Sequence, residues 1–175
     1  PMPPQRKALV LAAVGALLAS LWVALPAALV PQAGVPLAGS VGGPFDLVDQ
    51  NGRAVTDRDF RGRPMLVYFG YTYCPDICPT TLQTLSEALA AAGASPDDVA
   101  FLFVTIDPER DTPEQLRAYI TLFDPPPLAL TGSAEAVAAA ARAYRVVFRQ
   151  HREAGQDDYS VDHSAYAYLI DGDGK

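Results

Sequence analysis

The chain has 175 residues, of which 50% are hydrophobic, and a formal net charge of −7. This length suits one domain of ordinary size and is too short for two. Setting aside the N-terminal cations Arg6 and Lys7 leaves −9 for the remainder, in which the arginines are scattered. Such a balance argues against nucleic acid as a partner, because phosphate binding favours a basic face.

Residues 8–30 form an uncharged apolar run that is long enough to cross a bilayer as a helix. Two cations precede this run and the next one along the chain is Arg53, so the positive-inside bias places residues 1–7 in the cytoplasm and the rest outside. A cleaved signal peptide is the rival interpretation, although its apolar region is normally shorter. We expect a retained anchor and a domain in a compartment where disulfides form.

A linker is predicted over residues 31–44, which are rich in proline and glycine and carry no charge. The folded domain, residues 45–175, should begin near Phe45. Its first segment alternates apolar and polar residues around Asn51-Gly52, a pair that tolerates positive φ at both turn positions. This pattern predicts an N-terminal β-hairpin.

Two apolar runs of strand length, residues 65–70 and 100–106, are each followed by a segment with helical spacing. The first helix is predicted over residues 80–93. The second is predicted over residues 113–123, with Thr112 as its N-cap. This βαβ patterning predicts an α/β fold in which helices flank a central sheet.

The C-terminal third of the chain is predicted to contain a helix over residues 133–144, a strand over 145–150, a polar loop over 151–164 and a strand over 165–170. A glycine-containing turn follows this last strand. An antiparallel partner strand and a closing helix would be natural after the turn. We therefore expect that the C-terminal strand and helix of the domain are missing, which would leave one sheet edge unpaired.

Both cysteines of the chain, Cys74 and Cys78, lie between a predicted strand and a predicted helix. They are expected at the carboxyl end of the strand, where open α/β sheets place ligand sites. Pro79 suits the first helical turn, which puts Cys78 at the helix N-terminus, where free N–H groups and the dipole favour its thiolate. The spacing of four brings both side chains to one face of a helical turn.

Three kinds of site remain open from the cysteines alone: a structural disulfide, a redox dithiol and a metal site. A disulfide across so few residues closes a very small loop and removes little entropy from the unfolded chain. Dithiol oxidoreductases more often have two intervening residues than three, although acidic thiols at a helix start also suit exchange chemistry. A third soft or borderline ligand would favour a metal.

The chain has two histidines, His151 and His163. His163 stands directly before a predicted strand with Asp162 beside it, whereas His151 lies among charged residues and is interpreted as a solvated loop residue. Two thiolates and one imidazole make a donor set that suits copper or zinc. Tyr71 and Tyr73 are expected to pack around this site.

Four motifs occur in a characteristic order and spacing: TYCPDICPTT (72–81), TIDPERDTPEQL (105–116), LTG (130–132) and VDHS (161–164). Together they resemble the Sco/SenC family of membrane-anchored copper chaperones for cytochrome c oxidase, from about Phe45 to the end of the chain. The Cys-x-x-x-Cys spacing alone is a weak motif, and the combination is specific. Peroxiredoxins have a similar cysteine segment, but Pro75 stands where their pattern has a threonine.

The resemblance implies a thioredoxin-like fold in which Cys74, Cys78 and His163 bind one copper ion for delivery to the binuclear copper centre of the oxidase. The implied partners are the copper-accepting oxidase subunit and a thiol reductant, since a disulfide between the cysteines would abolish metal binding. The alternative function is a thiol:disulfide oxidoreductase that reduces the cysteines of the oxidase copper site or of other exported proteins.

With the anchor at residues 8–30, we expect a single-pass protein of a bacterial inner membrane whose C-terminal domain faces the periplasm or the cell exterior. Three aspartates near the motifs have two interpretations. Asp107 and Asp111 suit turn and capping chemistry, because each stands just before a turn or a helix start. Alternatively, Asp107, Asp111 and Asp162 support the ligands or dock a partner, with Asp162 orienting His163.

Overall fold

The computed structural model describes residues 41–152 and 158–174. The predicted anchor at residues 8–30 lies outside these ranges. Within them, no helix is long and apolar enough to cross a bilayer. The last residues of the predicted linker contact the domain, since the Gly42 N–H donates to the carbonyl of Ala143 at 3.2 Å.

A six-stranded mixed sheet lies at the centre of the domain, in the order β2-β1-β5-β4-β3-β8. Parallel pairing joins β3 to β4 and β4 to β5, whereas β1 and β8 run antiparallel to their neighbours β5 and β3. These strands span Asp46–Asp49 (β1), Ala54–Thr56 (β2), Met65–Gly70 (β3), Ala100–Thr105 (β4), Leu128–Thr131 (β5) and Ala167–Ile170 (β8). β1 and β2 pair antiparallel across the turn that contains Gly52, whose φ is +78°.

In the described part of the chain, three α-helices connect the strands: α1 over Ile77–Ala91, α2 over Pro113–Ile120 and α3 over Ala134–Ala143. Thr112 caps α2 as predicted, with its side chain accepting from the Gln115 N–H, and Ser133 caps α3 through the Ala136 N–H. The residues of β3 and β4 are nearly all buried, which requires cover on both faces of the sheet. The mixed α/β architecture with flanking helices is therefore as predicted.

The prediction of a loop over residues 151–164 is wrong. Two strands, β6 over Phe148–Arg152 and β7 over Tyr159–His163, pair with each other in a separate two-stranded sheet. Polar residues dominate this segment, so its sequence lacks the alternation of apolar and polar residues that predicts a strand. Burial nevertheless alternates along β7, because Val161 is buried while its neighbours Ser160 and Asp162 are exposed.

Candidate metal centre

The carboxyl ends of β3 and β4 lie side by side at one edge of the central sheet. The Ile106 N–H donates to the carbonyl of Gly70 at 2.9 Å, which continues the ladder one residue beyond β4. Residues 71–78, the cysteine segment, leave β3 at this edge and enter α1. The segment thus occupies the position at which parallel α/β sheets bind ligands.

Three candidate ligand atoms converge at this edge. The sulfurs of Cys74 and Cys78 and one ring nitrogen of His163 all lie within 4.8 Å of one another. His163 Nε2 is 3.4 Å from Cys78 Sγ, and both cysteines are free thiols. Metal bonds to sulfur and nitrogen are about 2.0–2.3 Å long, so one ion bridges ligand atoms up to roughly 4.6 Å apart. A small inward shift of the side chains would enclose an ion.

The chemistry of this donor set fits a soft or borderline metal. Thiolates select Cu(I) and zinc, and imidazole suits copper and zinc equally. Three ligands complete a trigonal Cu(I) site, whereas Cu(II) prefers additional nitrogen or oxygen ligands. Among the residues that the structure describes, no other cluster of three His, Cys, Asp or Glu side chains is close enough to hold an ion.

Burial dominates the acidity of Cys78. Its side chain is 0% exposed, and desolvation raises the pKa of the thiol to about 12. The expectation that the helix start makes this thiol acidic is therefore wrong, because loss of hydration outweighs the helix dipole at a fully buried sulfur. Metal binding must displace the proton from Cys78.

One backbone N–H at the start of α1 faces the other cysteine. Helix α1 begins at Ile77, three residues earlier than predicted, so Cys78 is its second residue. The backbone N–H of Cys78 points to the sulfur of Cys74, with N and Sγ 3.4 Å apart. The first turn of α1 therefore places a backbone donor at the sulfur of Cys74 rather than at that of Cys78.

His163 is held by its backbone neighbour and by two tyrosine rings. Its Nδ1 lies 3.1 Å from the carbonyl oxygen of Ser164. A carbonyl can only accept, so Nδ1 carries the proton and Nε2 presents its lone pair toward Cys78. The rings of Tyr68 and Tyr71 pack edge-on against the imidazole at centroid distances of 6.4 and 6.0 Å. Burial lowers the pKa of His163, which favours the neutral form that binds metals.

Asp162 does not orient His163. Its carboxylate lies 2.7 Å from Nε2 of His151, on the opposite face of β7. Side chains alternate along a strand, so neighbouring residues cannot share a face. The proton on His163 Nδ1 is held by the Ser164 carbonyl instead. His151 lies on β6 rather than in a loop, and it is largely exposed as predicted.

Asp107 and Asp111 are fully buried and bind the segments on either side of the site. Asp111 accepts from the Thr72 N–H at 3.0 Å and from the Thr72 hydroxyl at 2.6 Å, which ties it to the cysteine segment. Asp107 accepts from the Tyr159 hydroxyl at 2.6 Å, at the start of β7. Neither contact is capping, and the cap of α2 is Thr112. These carboxylates hold the two ligand-bearing segments at the end of β4.

Sequence reasoning missed Gly70 at the end of β3. A Cβ added there would lie 2.9 Å from Cys78 Sγ, 3.0 Å from Phe103 and 3.1 Å from Tyr68, so only glycine leaves room for the sulfur. The signal was a glycine directly after an apolar strand. Tyr73, which was expected to pack around the site, is instead 53% exposed.

Comparisons with known proteins decide the family of this chain. The family model described as SCO1/SenC matches residues 34–175. The chain belongs to the SCO1/SenC family. Sco1 of Schizosaccharomyces pombe is 42% identical over 138 residues, which are 77% of this chain and 52% of that protein. The human mitochondrial SCO1 homolog is 41% identical over 77% of this chain and 46% of its own length. The chain thus spans about half the length of these relatives.

Solved Sco structures have the same fold. ScoI of Bradyrhizobium japonicum with copper bound is 46% identical, with a TM-score of 0.73 over 78% of this chain and 86% of that one. Yeast Sco1 with copper bound is 40% identical, with a TM-score of 0.69 over 78% and 77% of the two chains. The resemblance that the motifs indicated is confirmed, and so is the thioredoxin-like Sco fold.

Proposed function

We propose that this chain is a copper metallochaperone. It binds one copper ion through Cys74 Sγ, Cys78 Sγ and His163 Nε2 and delivers it to the copper-accepting subunit of cytochrome c oxidase. The observation that supports this proposal is the convergence of the three ligand atoms within 4.8 Å on two separate segments of the chain. Three Sco relatives of 40% identity or more were solved with copper bound.

Cu(I) is the form that these residues suit best. Two thiolates and one imidazole complete its coordination without a fourth ligand. Cys78 is a protonated thiol before the metal arrives, so capture releases its proton and the apparent affinity rises with pH. A disulfide between the cysteines would remove both sulfur ligands, so the proposal includes a thiol reductant as a partner.

The proposed location is a bacterial inner membrane, with residues 8–30 as a single-pass anchor and the domain facing the periplasm or the cell exterior. The length of the apolar run and the cations before it support this placement. Full-length protein should then remain in the membrane fraction after washes with high salt and carbonate. Release of a shortened soluble form would show that the N-terminal segment is a cleaved signal.

One contact favours the alternative function, a thiol:disulfide oxidoreductase. The Cys78 N–H at the start of α1 donates to Cys74 Sγ, so a backbone donor lies at the sulfur that would attack a disulfide in exchange. The Cys74 thiolate would attack a substrate disulfide and form a mixed disulfide while one substrate sulfur leaves as a thiolate. Cys78 would then attack Cys74, lose its proton, and release the second substrate thiol. Two electrons pass to the substrate and the cysteine pair becomes a disulfide.

His163→Ala separates the two functions, because thiol exchange needs no imidazole. The reduced, metal-free variant should bind Cu(I) at least roughly 10- to 100-fold more weakly than the wild type, since a direct ligand is lost. Cu(I) competition with a chromophoric chelator measures this affinity. Reduction of a model disulfide should change little in the same variant. His151→Ala is the matched control and should alter neither property.

Unchanged Cu(I) affinity in His163→Ala together with lost disulfide reduction would contradict the chaperone function and favour the enzyme. Transfer provides a second test. Copper-loaded protein mixed with the reduced copper domain of the oxidase subunit should lose its ion to that domain, and copper that stays on the donor would contradict delivery.

A further inference from the structure

The histidine ligand lies on a part of the domain that the central sheet does not hold. β7, which ends at His163, pairs only with β6 in the part of the chain that the structure describes. The cysteines, by contrast, lie on the connection between a central strand and its helix. Residues 164–166 join the end of β7 to β8 of the central sheet, and side-chain contacts at the other end of β7 add to this constraint on His163.

Arg110 makes the largest group of these contacts. Its Nη1 donates to the backbone carbonyl of Tyr159 at 3.0 Å and to the carboxylate of Asp158 at 2.8 Å, both at the start of β7. Its guanidinium carbon lies 3.6 Å from the centroid of the Tyr159 ring. The same carbon lies 4.6 Å from the ring of Tyr73, the residue before Cys74. Arg110 thus contacts both ligand-bearing segments.

A buried carboxylate fixes Arg110 to the central sheet. Its Nε lies 2.6 Å from Asp107, which is 0% exposed, and only 16% of the Arg110 side chain is exposed. The Asp107 N–H donates to the Thr105 hydroxyl at the end of β4. Asp107 also accepts from the Tyr159 hydroxyl. Arg110, Asp107 and Tyr159 therefore each contact the other two. Charge-assisted bonds of this kind, away from water, are strong and directional.

We propose that Arg110 is a positioning residue for copper capture, which docks the start of β7 against the cysteine segment and thereby holds His163 Nε2 at the sulfur of Cys78. Arg110 contacts no candidate ligand atom, so it acts through β7. The effect of Arg110 on copper binding rests on the proposed function. The placement of His163 in the metal-free protein is independent of that function.

Arg110→Lys is the variant of choice, because complete removal of the cation would leave Asp107 as an unpaired buried charge. Lysine keeps a positive charge but lacks the planar fork that donates to both Asp107 and Tyr159. Arg149→Lys is the matched control, since Arg149 is exposed on the outer face of the adjacent strand β6. Thermal unfolding of each variant verifies that it is folded.

The first readout uses metal-free protein. Amide hydrogen exchange in β7 should be faster in Arg110→Lys, and exchange in α1 should be unchanged. The Val161 N–H is the most informative probe, because it faces the Tyr71 hydroxyl with N and O 3.4 Å apart. Uniform acceleration across the domain, or no acceleration in β7, would overturn the positioning role.

The second readout is a double-mutant cycle with His163→Ala on Cu(I) affinity. Arg110→Lys should weaken binding by roughly tenfold in the wild-type background, as is typical of residues that orient a ligand, and by less than about twofold when His163 is absent. Equal losses in both backgrounds would overturn the inference and leave the proposed function intact. If wild-type protein binds no copper while β7 exchange still responds to Arg110→Lys, the proposed function fails and the positioning role stands.

Discussion

The two halves of the candidate metal centre are built in different ways. The cysteine half is part of the main fold, because β3, the cysteine segment and α1 are continuous in the chain and both cysteine side chains are buried in the core. The histidine half is a separate pair of strands, which residues 164–166 join to β8 and which side-chain contacts pack against the domain. The core of the fold therefore places the two sulfurs, whereas the position of the imidazole also depends on the contacts of Asp107, Arg110 and Tyr159 and is the easier of the two to disturb.

The largest expected effect concerns the reactivity of the buried sulfur in the cysteine half. Burial raises the pKa of Cys78 to about 12, so its thiolate is scarce at neutral pH. In a Cys74→Ser variant, alkylation of Cys78 at pH 7 should be on the order of a hundredfold slower than that of an ordinary cysteine and should keep rising to at least pH 10. Protein unfolded in denaturant provides the reference. A plateau below pH 9 in the folded protein would contradict this account.

Asp111→Ala should give the next largest effect, because Asp111 ties the cysteine half to β4. The variant leaves three donors without their acceptor, namely the Thr72 N–H, the Thr72 hydroxyl and the Thr105 hydroxyl. We expect a loss of about 2–4 kcal/mol in the free energy of unfolding. Urea denaturation measures it, and a loss below about 1 kcal/mol would mean that these bonds contribute little.

Asp111→Asn tests the same carboxylate through pH. Desolvation raises the pKa of Asp111, so the folded state favours its protonated form. Its contribution to stability is present below its ordinary pKa of 3.8 and is lost as the pH rises through the raised value in the folded protein. The stability deficit of Asp111→Asn relative to wild type should therefore shrink from pH 4 to pH 7. A deficit that grows over this range would have the wrong sign.

Gly70→Ala should disturb the cysteine half with a smaller loss of stability. The added methyl group would lie 2.9 Å from Cys78 Sγ, which must move. We expect about 1–3 kcal/mol lower stability together with weaker Cu(I) binding. Gly132→Ala is the control, since its new methyl group would meet Leu47 and Ala136, away from the site. Equal Cu(I) affinity in both variants would show that the Cys78 sulfur has room to move.

Asp162→Asn should have the smallest effect, because it tests the outer face of the histidine half. The pair of Asp162 with His151 is exposed on both sides, at 78% and 47% of the side-chain surface, and such pairs contribute about 0–1 kcal/mol. Cu(I) affinity should be unchanged within about twofold. A loss similar to that of His163→Ala would restore the role that the sequence indicated for Asp162.

The cysteine half could be predicted from sequence because its signals are local. A run of apolar residues and a proline-marked helix start place Cys74 and Cys78 at a strand end without knowledge of distant contacts. His163 was a candidate because it stands directly before a predicted strand, and the order of the four motifs supported it through a family resemblance. The acidity of Cys78 could not be predicted in the same way, since it depends on how completely the rest of the chain covers the sulfur.

The support of the histidine half could not be predicted because it is formed by contacts between residues far apart in sequence. Tyr159 has no helical or strand signal in a polar segment, and its partners Asp107 and Arg110 are about 50 positions away. Asp162 adjoins His163 in sequence and was assigned to it for that reason. Strand alternation places Asp162 on the face of β7 opposite to His163. An interpretation of the segment as a loop could not predict this.

The central claim is that both halves supply ligands to one copper ion. X-ray absorption at the copper edge of reduced, Cu(I)-loaded protein tests this claim most directly. The account predicts one copper ion per chain, coordinated by two sulfur atoms and one nitrogen atom. In His163→Ala, only sulfur atoms should coordinate the copper. Coordination by two sulfur atoms alone in the wild-type protein, with no change in His163→Ala, would contradict the claim. The histidine half would then have no part in binding the metal.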